Sequence, residues 1–189
     1  ETARFLKEAR PDALTLARGE YLRYDAPGIL ERAPQLDLIV WGEVEAILPA
    51  LLGAAATAEA PARAARLAAL PGVALRADAA DESPVHVSTE RPVVEDLDAL
   101  PLPARDLLDN GLYRSPETGR PITVVSANRG CPSKCVFCPA GALSGYRVRF
   151  RSPASIVEEL RECVERHGIR NFLFNGDTFT IRKSWVLEL

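Results

Sequence analysis

Apolar positions repeat with helical spacing in some stretches of the chain and run together in others, and the alternation sets the first expectations. From Thr2 to Ala9, Phe5, Leu6 and Ala9 share one side of a helix that Pro11 stops. Residues 13–17, ALTLA, read as a short strand ending in the turn Arg18-Gly19-Glu20. Residues 27–33 predict a short helix. Residues 36–41, LDLIVW, predict a near-continuous apolar strand of the kind covered on both faces in a parallel sheet, and it ends at Gly42-Glu43. A helix follows over residues 44–56, where Pro49 fits only in a first turn or bends the axis. Residues 54–69 are alanine-rich and helical with a break near Pro61, and no site is assigned there. Residues 72–77 and 85–89 alternate as a hairpin that includes His86, joined by the polar stretch DAADESP. Residues 95–109 are acidic, contain Pro101 and Pro103, and read as an extended connector into a short helix with a domain boundary nearby.

In the last third, residues 121–128, PITVVSAN, form a strand. Ser152 and Pro153 then open a helix as N-cap and first helical residue. Its apolar stripe is Ile156, Val157, Leu160, Cys163 and Val164, with Glu158, Glu159, Glu162 and Arg166 on the other faces and Gly168 as C-cap. The next strand, NFLF, ends at Asn175-Gly176-Asp177, and Thr178 or Thr180 caps a further helix through Leu189.

The fold class is therefore α/β. The early rhythm is that of a doubly wound, Rossmann-like sheet, in which ligands bind beyond the carboxyl ends of strands. Gly19 and Gly42 sit at those ends, and on pattern alone each reads first as a plain turn. The later strand-helix-strand unit suits the start of a TIM-like α/β barrel, whose functional residues gather at the same ends.

Composition narrows this picture. The 189 residues suit one medium domain or two small ones, and 47% hydrophobic content is ordinary for a folded core. A net charge of -3 leaves no basic footprint for nucleic acid. No apolar run is long enough to span a bilayer, and the opening ETARFLKEAR has no secretory pattern, so a cytoplasmic location is expected. The chain lacks Met and begins at Glu1, which leads us to expect a fragment.

Four cysteines with three of them in RGCPSKCVFCPAG do not suggest a disulfide framework. Thiolates at Cys131, Cys135 and Cys138 can hold three irons of a four-iron, four-sulfur cluster and leave the fourth iron open. A structural zinc site needs four ligands. Cys163 reads instead as a small core residue, and His167 as a surface residue in a last helical turn, where a cation is favourable. A disulfide-exchange pair leaves Cys131 unexplained. A non-enzymatic iron-sulfur or zinc module would require a fourth protein ligand. Arg147, Arg149 and Arg151 read as a solvated loop, of which one could meet a carboxylate or phosphate.

At these residues the sequence resembles the radical S-adenosylmethionine (SAM) superfamily, whose loop is Cys-x3-Cys-x2-Cys with an aromatic before the last cysteine, here Phe137. The wider chain resembles its cobalamin-binding branch. DLIVWGEVE, residues 37–45, is similar to the end of the cobalamin-binding domain, and LDALPLPARDLLD, residues 97–109, to the interdomain connector. RVRFRSPASIVEEL and FNGDTFT resemble the first barrel helix and the end of the second barrel strand. The resemblance implies residues 1–70 as the later part of a cobalamin-binding domain, 71–120 as hairpin and connector, and 121–189 as the start of the barrel. Two departures stand out. The Asp-x-His-x-x-Gly loop of many relatives would precede Glu1, and Arg18-Gly19-Glu20-Tyr21 stands where relatives often have Gly-Gly-Pro-His.

By the same resemblance the cofactors are the cluster on Cys131, Cys135 and Cys138, S-adenosylmethionine, and cobalamin. SAM is reductively split to a 5′-deoxyadenosyl radical that serves methyl transfer to an unactivated centre or ring formation. Phe137 either lies against the adenine or packs under the loop. Gly176 and Asp177 either meet the methionine amino group or cap a helix, and Gly42 and Glu43 fall at the cobalamin side. The partners implied are a small-molecule substrate and an electron donor such as a flavodoxin or ferredoxin. A methylthiotransferase acting on transfer RNA shares the Arg-Gly-Cys-Pro start of the loop, but here the preceding segment has no cysteines for a second cluster. A closed barrel needs ~200 residues or more, so these residues alone are expected to be inactive.

Overall fold

The computed structural model describes residues 1–76 and 84–189, and the chain divides into two units, Glu1–Val94 and Glu95–Leu189. The first unit contains α1 (Thr2–Ala9), β1 (Leu16–Arg18), α2 (Ala26–Arg32), β2 (Leu38–Val40), α3 (Leu48–Ala55), α4 (Ala60–Ala68), β3 (Val73–Arg76) and β4 (Val85–Val87). Its sheet has the order β1-β2-β3-β4, with β1 and β2 parallel and the later pairs antiparallel.

As expected, β2 is covered on both faces, because strand side chains alternate. Leu38 and Val40 pack with Ile47, Leu51 and Leu67 on the side of α3 and α4. Ile39 and Trp41 pack with Ala26 and Leu30 of α2 on the other. The sheet is mixed rather than parallel because two helices, not one, separate β2 from β3. The second helix brings the chain back to the carboxyl end of β2, where the Trp41 N–H donates to the Gly72 carbonyl at 2.9 Å, so β3 runs the opposite way.

Prolines set the helix starts here. Pro49 and Pro61 lie in the first turns of α3 and α4, where a missing N–H loses no helical bond, so Pro61 begins a helix instead of breaking one. Residues 44–46 form a separate 3-10 turn. The first strand begins at Leu16, later than its apolar run. Thr15 is taken up by Asp37, whose Oδ2 accepts from the Thr15 N–H at 2.6 Å and hydroxyl at 2.9 Å, and the Ala13 carbonyl accepts from Lys7 at 2.7 Å. The expected hairpin pairs Leu75 with His86, while most of its connecting loop falls at residues 77–83, outside the described residues.

The second unit contains β5 (Ile122–Arg129), α5 (Ala140–Ser144), β6 (Arg149–Phe150), α6 (Pro153–His167), β7 (Asn171–Gly176) and α7 (Lys183–Glu188), in an open sheet ordered β6-β5-β7. Parallel β5 and β7, joined through α6, form the expected strand-helix-strand unit. Ser152 accepts from the Ser155 N–H at 3.1 Å as N-cap, and Gly168 ends α6 in the left-handed conformation. Val125, Ala127, Ile156 and Trp185 form the buried core, and the indole N–H donates to the Arg151 carbonyl at 2.8 Å.

Three expectations are corrected. Residues 149–150 are a short strand, and Arg149 and Arg151 are buried instead of solvated. Glu159 is 1% exposed and pairs with Arg105 and Arg151, so it does not belong with the exposed glutamates. The last helix starts at Lys183, after Arg182, so neither Thr178 nor Thr180 caps it.

Candidate functional site

Two parallel strands end side by side, and the chemistry-bearing residues of the second unit follow their ends. The register between β5 and β7 shifts at Asn128, which stands opposite Gly176. Gly130 then turns the chain at φ +99, and a Cβ there would lie 2.2 Å from the Arg147 carbonyl oxygen, so only glycine fits. The next residue, Cys131, donates its N–H to the Gly145 carbonyl at 3.0 Å, and the Cys138 N–H donates to the Cys135 carbonyl at 3.2 Å.

The three cysteines of the loop are free thiols. Cys131 is half-buried, and Cys135 and Cys138 are exposed. Val136 and Phe137 between them stand fully out from the surface, with Phe137 at 86% exposure, so Phe137 does not pack under the loop. Among the described residues, no three His, Cys, Asp or Glu side chains are grouped to hold a metal ion. Cys163 lies in the interior on α6, and burial pushes its thiol pKa up.

At the end of β7, the Asp177 carboxylate accepts from the Gly130 N–H at 2.7 Å, and the Thr178 hydroxyl donates to the Gly130 carbonyl at 3.1 Å. A Cβ at Gly176 would lie 2.3 Å from the Asn128 side-chain oxygen. Gly176 thus admits a buried amide that bonds to the Thr178 backbone, donating to its carbonyl at 3.0 Å.

Arg105, Arg151 and Glu159 form a buried network. In it Arg151 meets a carboxylate, as one of Arg147, Arg149 and Arg151 was expected to be able to do, while the partnership with Arg105 was not foreseen. Arg105 donates to Glu159, to the Thr123 hydroxyl at 3.2 Å and to the Val124 carbonyl at 3.1 Å. Arg151 donates to Glu159 and, at 3.2 Å, to the Ser126 carbonyl. Asp98 accepts from the Ser152 N–H at 3.0 Å. The backbone of β5 is thereby held by guanidinium groups from both sides in sequence. The one legible signal was spacing, since Glu159 falls three residues after Ile156 and four before Cys163, both buried.

Gly42 and Glu43 lie in the first unit, after β2. Gly42 has φ +75 and donates its N–H to the Glu20 carboxylate at 3.1 Å, and a Cβ would meet Pro92 at 2.8 Å. Glu43 is 5% exposed, and its carboxylate accepts from the Val94 N–H at 2.8 Å. Glu43 ties the strand end to the segment leaving the hairpin, while Gly42 bonds to Glu20 beyond β1 and packs closely against Pro92.

Residues 125–189 match the family model described as the radical SAM superfamily. The match begins within β5 and takes in the cysteine loop, α6 and β7.

Curated relatives extend the likeness across both units. An uncharacterized methyltransferase of Pyrococcus horikoshii is 27% identical over 99% of this chain and 38% of its own length. The anaerobic magnesium-protoporphyrin IX monomethyl ester cyclase of Rubrivivax gelatinosus is 28% identical over 99% of this chain and 32% of its own. The hopanoid C-3 methylase of Methylococcus capsulatus is 31% identical over 87% and 29%. The chain therefore spans about a third of these relatives' length.

Among solved structures, the radical S-adenosylmethionine methyltransferase TsrM of Kitasatospora setae, with tryptophan substrate and a SAM analog bound, has a TM-score of 0.62 at 18% identity. The likeness covers 95% of this chain and 33% of that one. A second structure of TsrM, with cobalamin and a [4Fe-4S] cluster bound, has a TM-score of 0.58. At this identity the likeness shows the fold: a partial Rossmann-like sheet followed by the first strand-helix-strand unit of a partial barrel. No helix among the described residues is long and apolar enough to cross a membrane.

Proposed function

We propose that this chain carries the later part of a cobalamin-binding domain and the start of the radical-generating barrel of a radical SAM enzyme. The whole protein cleaves S-adenosylmethionine reductively, and it either methylates an unactivated centre of a small molecule or closes a ring. The observation that carries this reading is the loop itself: three free cysteines, separated by three residues and then two, entered from the carboxyl end of β5 beside a second parallel strand end.

The donor set fits a four-iron cluster. Three soft thiolates from one exposed loop match three irons, and binding itself favours the deprotonated form. A closed zinc site is supported less well, because it needs a fourth ligand and Cys163 is fully buried on α6 while Cys135 and Cys138 are exposed. When bound, a reduced cluster supplies the electron that splits S-adenosylmethionine.

The remaining roles belong to the chain. Cys131, Cys135 and Cys138 hold the cluster. Phe137, standing free of the loop, offers an aromatic face to the adenine. Gly176 and Asp177 shape the neighbouring strand end. Gly42 and Glu43 serve cobalamin by fixing the end of β2, beyond which ligands of doubly wound sheets bind. A reducing partner of the flavodoxin or ferredoxin kind supplies electrons, and the location is cytoplasmic. Relatives named as methyltransferases, a methylase and cyclases favour this reading over a methylthiotransferase on transfer RNA.

The test is made on the full-length gene product, reconstituted without oxygen and supplied with cobalamin and a reductant. Formation of 5′-deoxyadenosine with retained cobalamin supports the proposal. Retained cobalamin without cleavage of S-adenosylmethionine contradicts the radical reading, and cleavage without cobalamin contradicts the subfamily.

A further inference from the structure

We propose that Asp177 and Thr178 are positioning residues that hold the backbone of Gly130 and so fix where Cys131 enters the loop. This rests on the cluster reading of Cys131, Cys135 and Cys138. Asp177 accepts from the Gly130 N–H at 2.7 Å, Thr178 donates to the Gly130 carbonyl at 3.1 Å, and the next N–H, that of Cys131, donates to the Gly145 carbonyl at 3.0 Å. Three successive backbone groups leading to the first cysteine are thus tied down, two of them by side chains from the neighbouring strand end.

The clasp is itself supported. Asn128 is 3% exposed, and its amide donates to the Thr178 carbonyl at 3.0 Å from the space that Gly176 leaves open. Gly130 cannot shift toward Arg147, whose carbonyl closes that side. The end of β7 therefore acts on the loop through Gly130, a job different from capping a helix, since α7 starts only at Lys183.

The bond to Gly130 needs an acceptor oxygen, which asparagine also supplies. A contact with a ligand ammonium would need the charge. That difference separates the two roles.

In the reconstituted full-length gene product, iron release to a chelator is measured without S-adenosylmethionine, together with the electron paramagnetic resonance (EPR) spectrum of the reduced cluster and the Kd for S-adenosylmethionine. Asp177→Ala should release iron on the order of tenfold faster and broaden the spectrum, Thr178→Val roughly threefold faster, and Asp177→Asn should restore near-wild-type behaviour with Kd changed less than about twofold. Release at the wild-type rate in Asp177→Ala overturns the proposal. So does a Kd weakened equally by Asn and Ala while iron is retained, which would assign Asp177 to the ligand. A wild-type protein that takes up no four-iron cluster overturns the cluster reading itself, and that failure is distinguishable because it precedes any substitution.

Discussion

Arg105 reaches across 54 residues of chain to donate to Glu159 at 2.5 Å, and both side chains lie almost wholly in the interior. Arg151 takes the other carboxylate oxygen, so one buried anion faces two buried cations. Each guanidinium also bonds to a carbonyl of β5, the strand that delivers the cysteine loop.

Removing the anion leaves both cations unpaired. Glu159→Ala should therefore destabilise the second unit by about 3–5 kcal/mol, with Glu159→Gln intermediate because it still accepts hydrogen bonds. Trp185 sits in that core and reports on it, so urea unfolding followed by Trp185 fluorescence in a Trp41→Phe background measures the loss. An unchanged midpoint in Glu159→Ala would remove the network from the account.

Two glycines of the second unit separate strain from collision. Gly168 has φ +66 with nothing near a would-be Cβ, so Gly168→Ala should cost about 1–2 kcal/mol and leave iron content alone. Gly130→Ala adds a clash with the backbone at Arg147 and should lose most of the iron while far-ultraviolet circular dichroism stays native. Equal iron in the two variants would contradict the assigned geometry.

The four thiols should divide three to one. Burial raises the Cys163 pKa, with its place in the core of α6 blocking access, whereas Cys135 and Cys138 are exposed and Cys131 half-buried. Alkylation of the cluster-free protein at mildly alkaline pH should label three sites quickly and Cys163 only on unfolding, as read by peptide mass spectrometry.

In the first unit, burial would raise the pKa of Asp37, but Lys7 at 2.8 Å and the Thr15 N–H and hydroxyl together hold it below the ordinary carboxylate value. A depressed folded-state value means the contribution is complete above the unfolded value and is lost as pH falls through the folded one. Asp37→Asn should lower stability at neutral pH and flatten the loss on acidification, measured by Trp41 fluorescence in a Trp185→Phe background. A steeper acid slope in the variant would show the wrong sign.

Much of this was legible in residue order. The double burial of β2, the Ser152-Pro153 helix start and the crowding of Cys131, Cys135 and Cys138 are local patterns, and each follows from spacing alone. What was hidden depends on distant partners. Glu159 and Arg151 look like surface charges until Arg105 is brought beside them, and the direction of β3 depends on whether one helix or two precede it. Asp177 and Thr178 showed a plausible cap sequence, and only the neighbouring strand end reveals that their partner is Gly130.

The central claim is that Cys131, Cys135 and Cys138, and not Cys163, hold an open four-iron cluster. Iron and sulfide are counted in the reconstituted full-length gene product, and the EPR spectrum of the reduced protein is recorded before and after S-adenosylmethionine is added. The account predicts about four iron and four sulfide with a spectrum that shifts on addition, loss of both in any single Cys131, Cys135 or Cys138→Ala variant, and neither effect in Cys163→Ala. One tightly held zinc with no spectral response, or equal loss in Cys163→Ala, would contradict it.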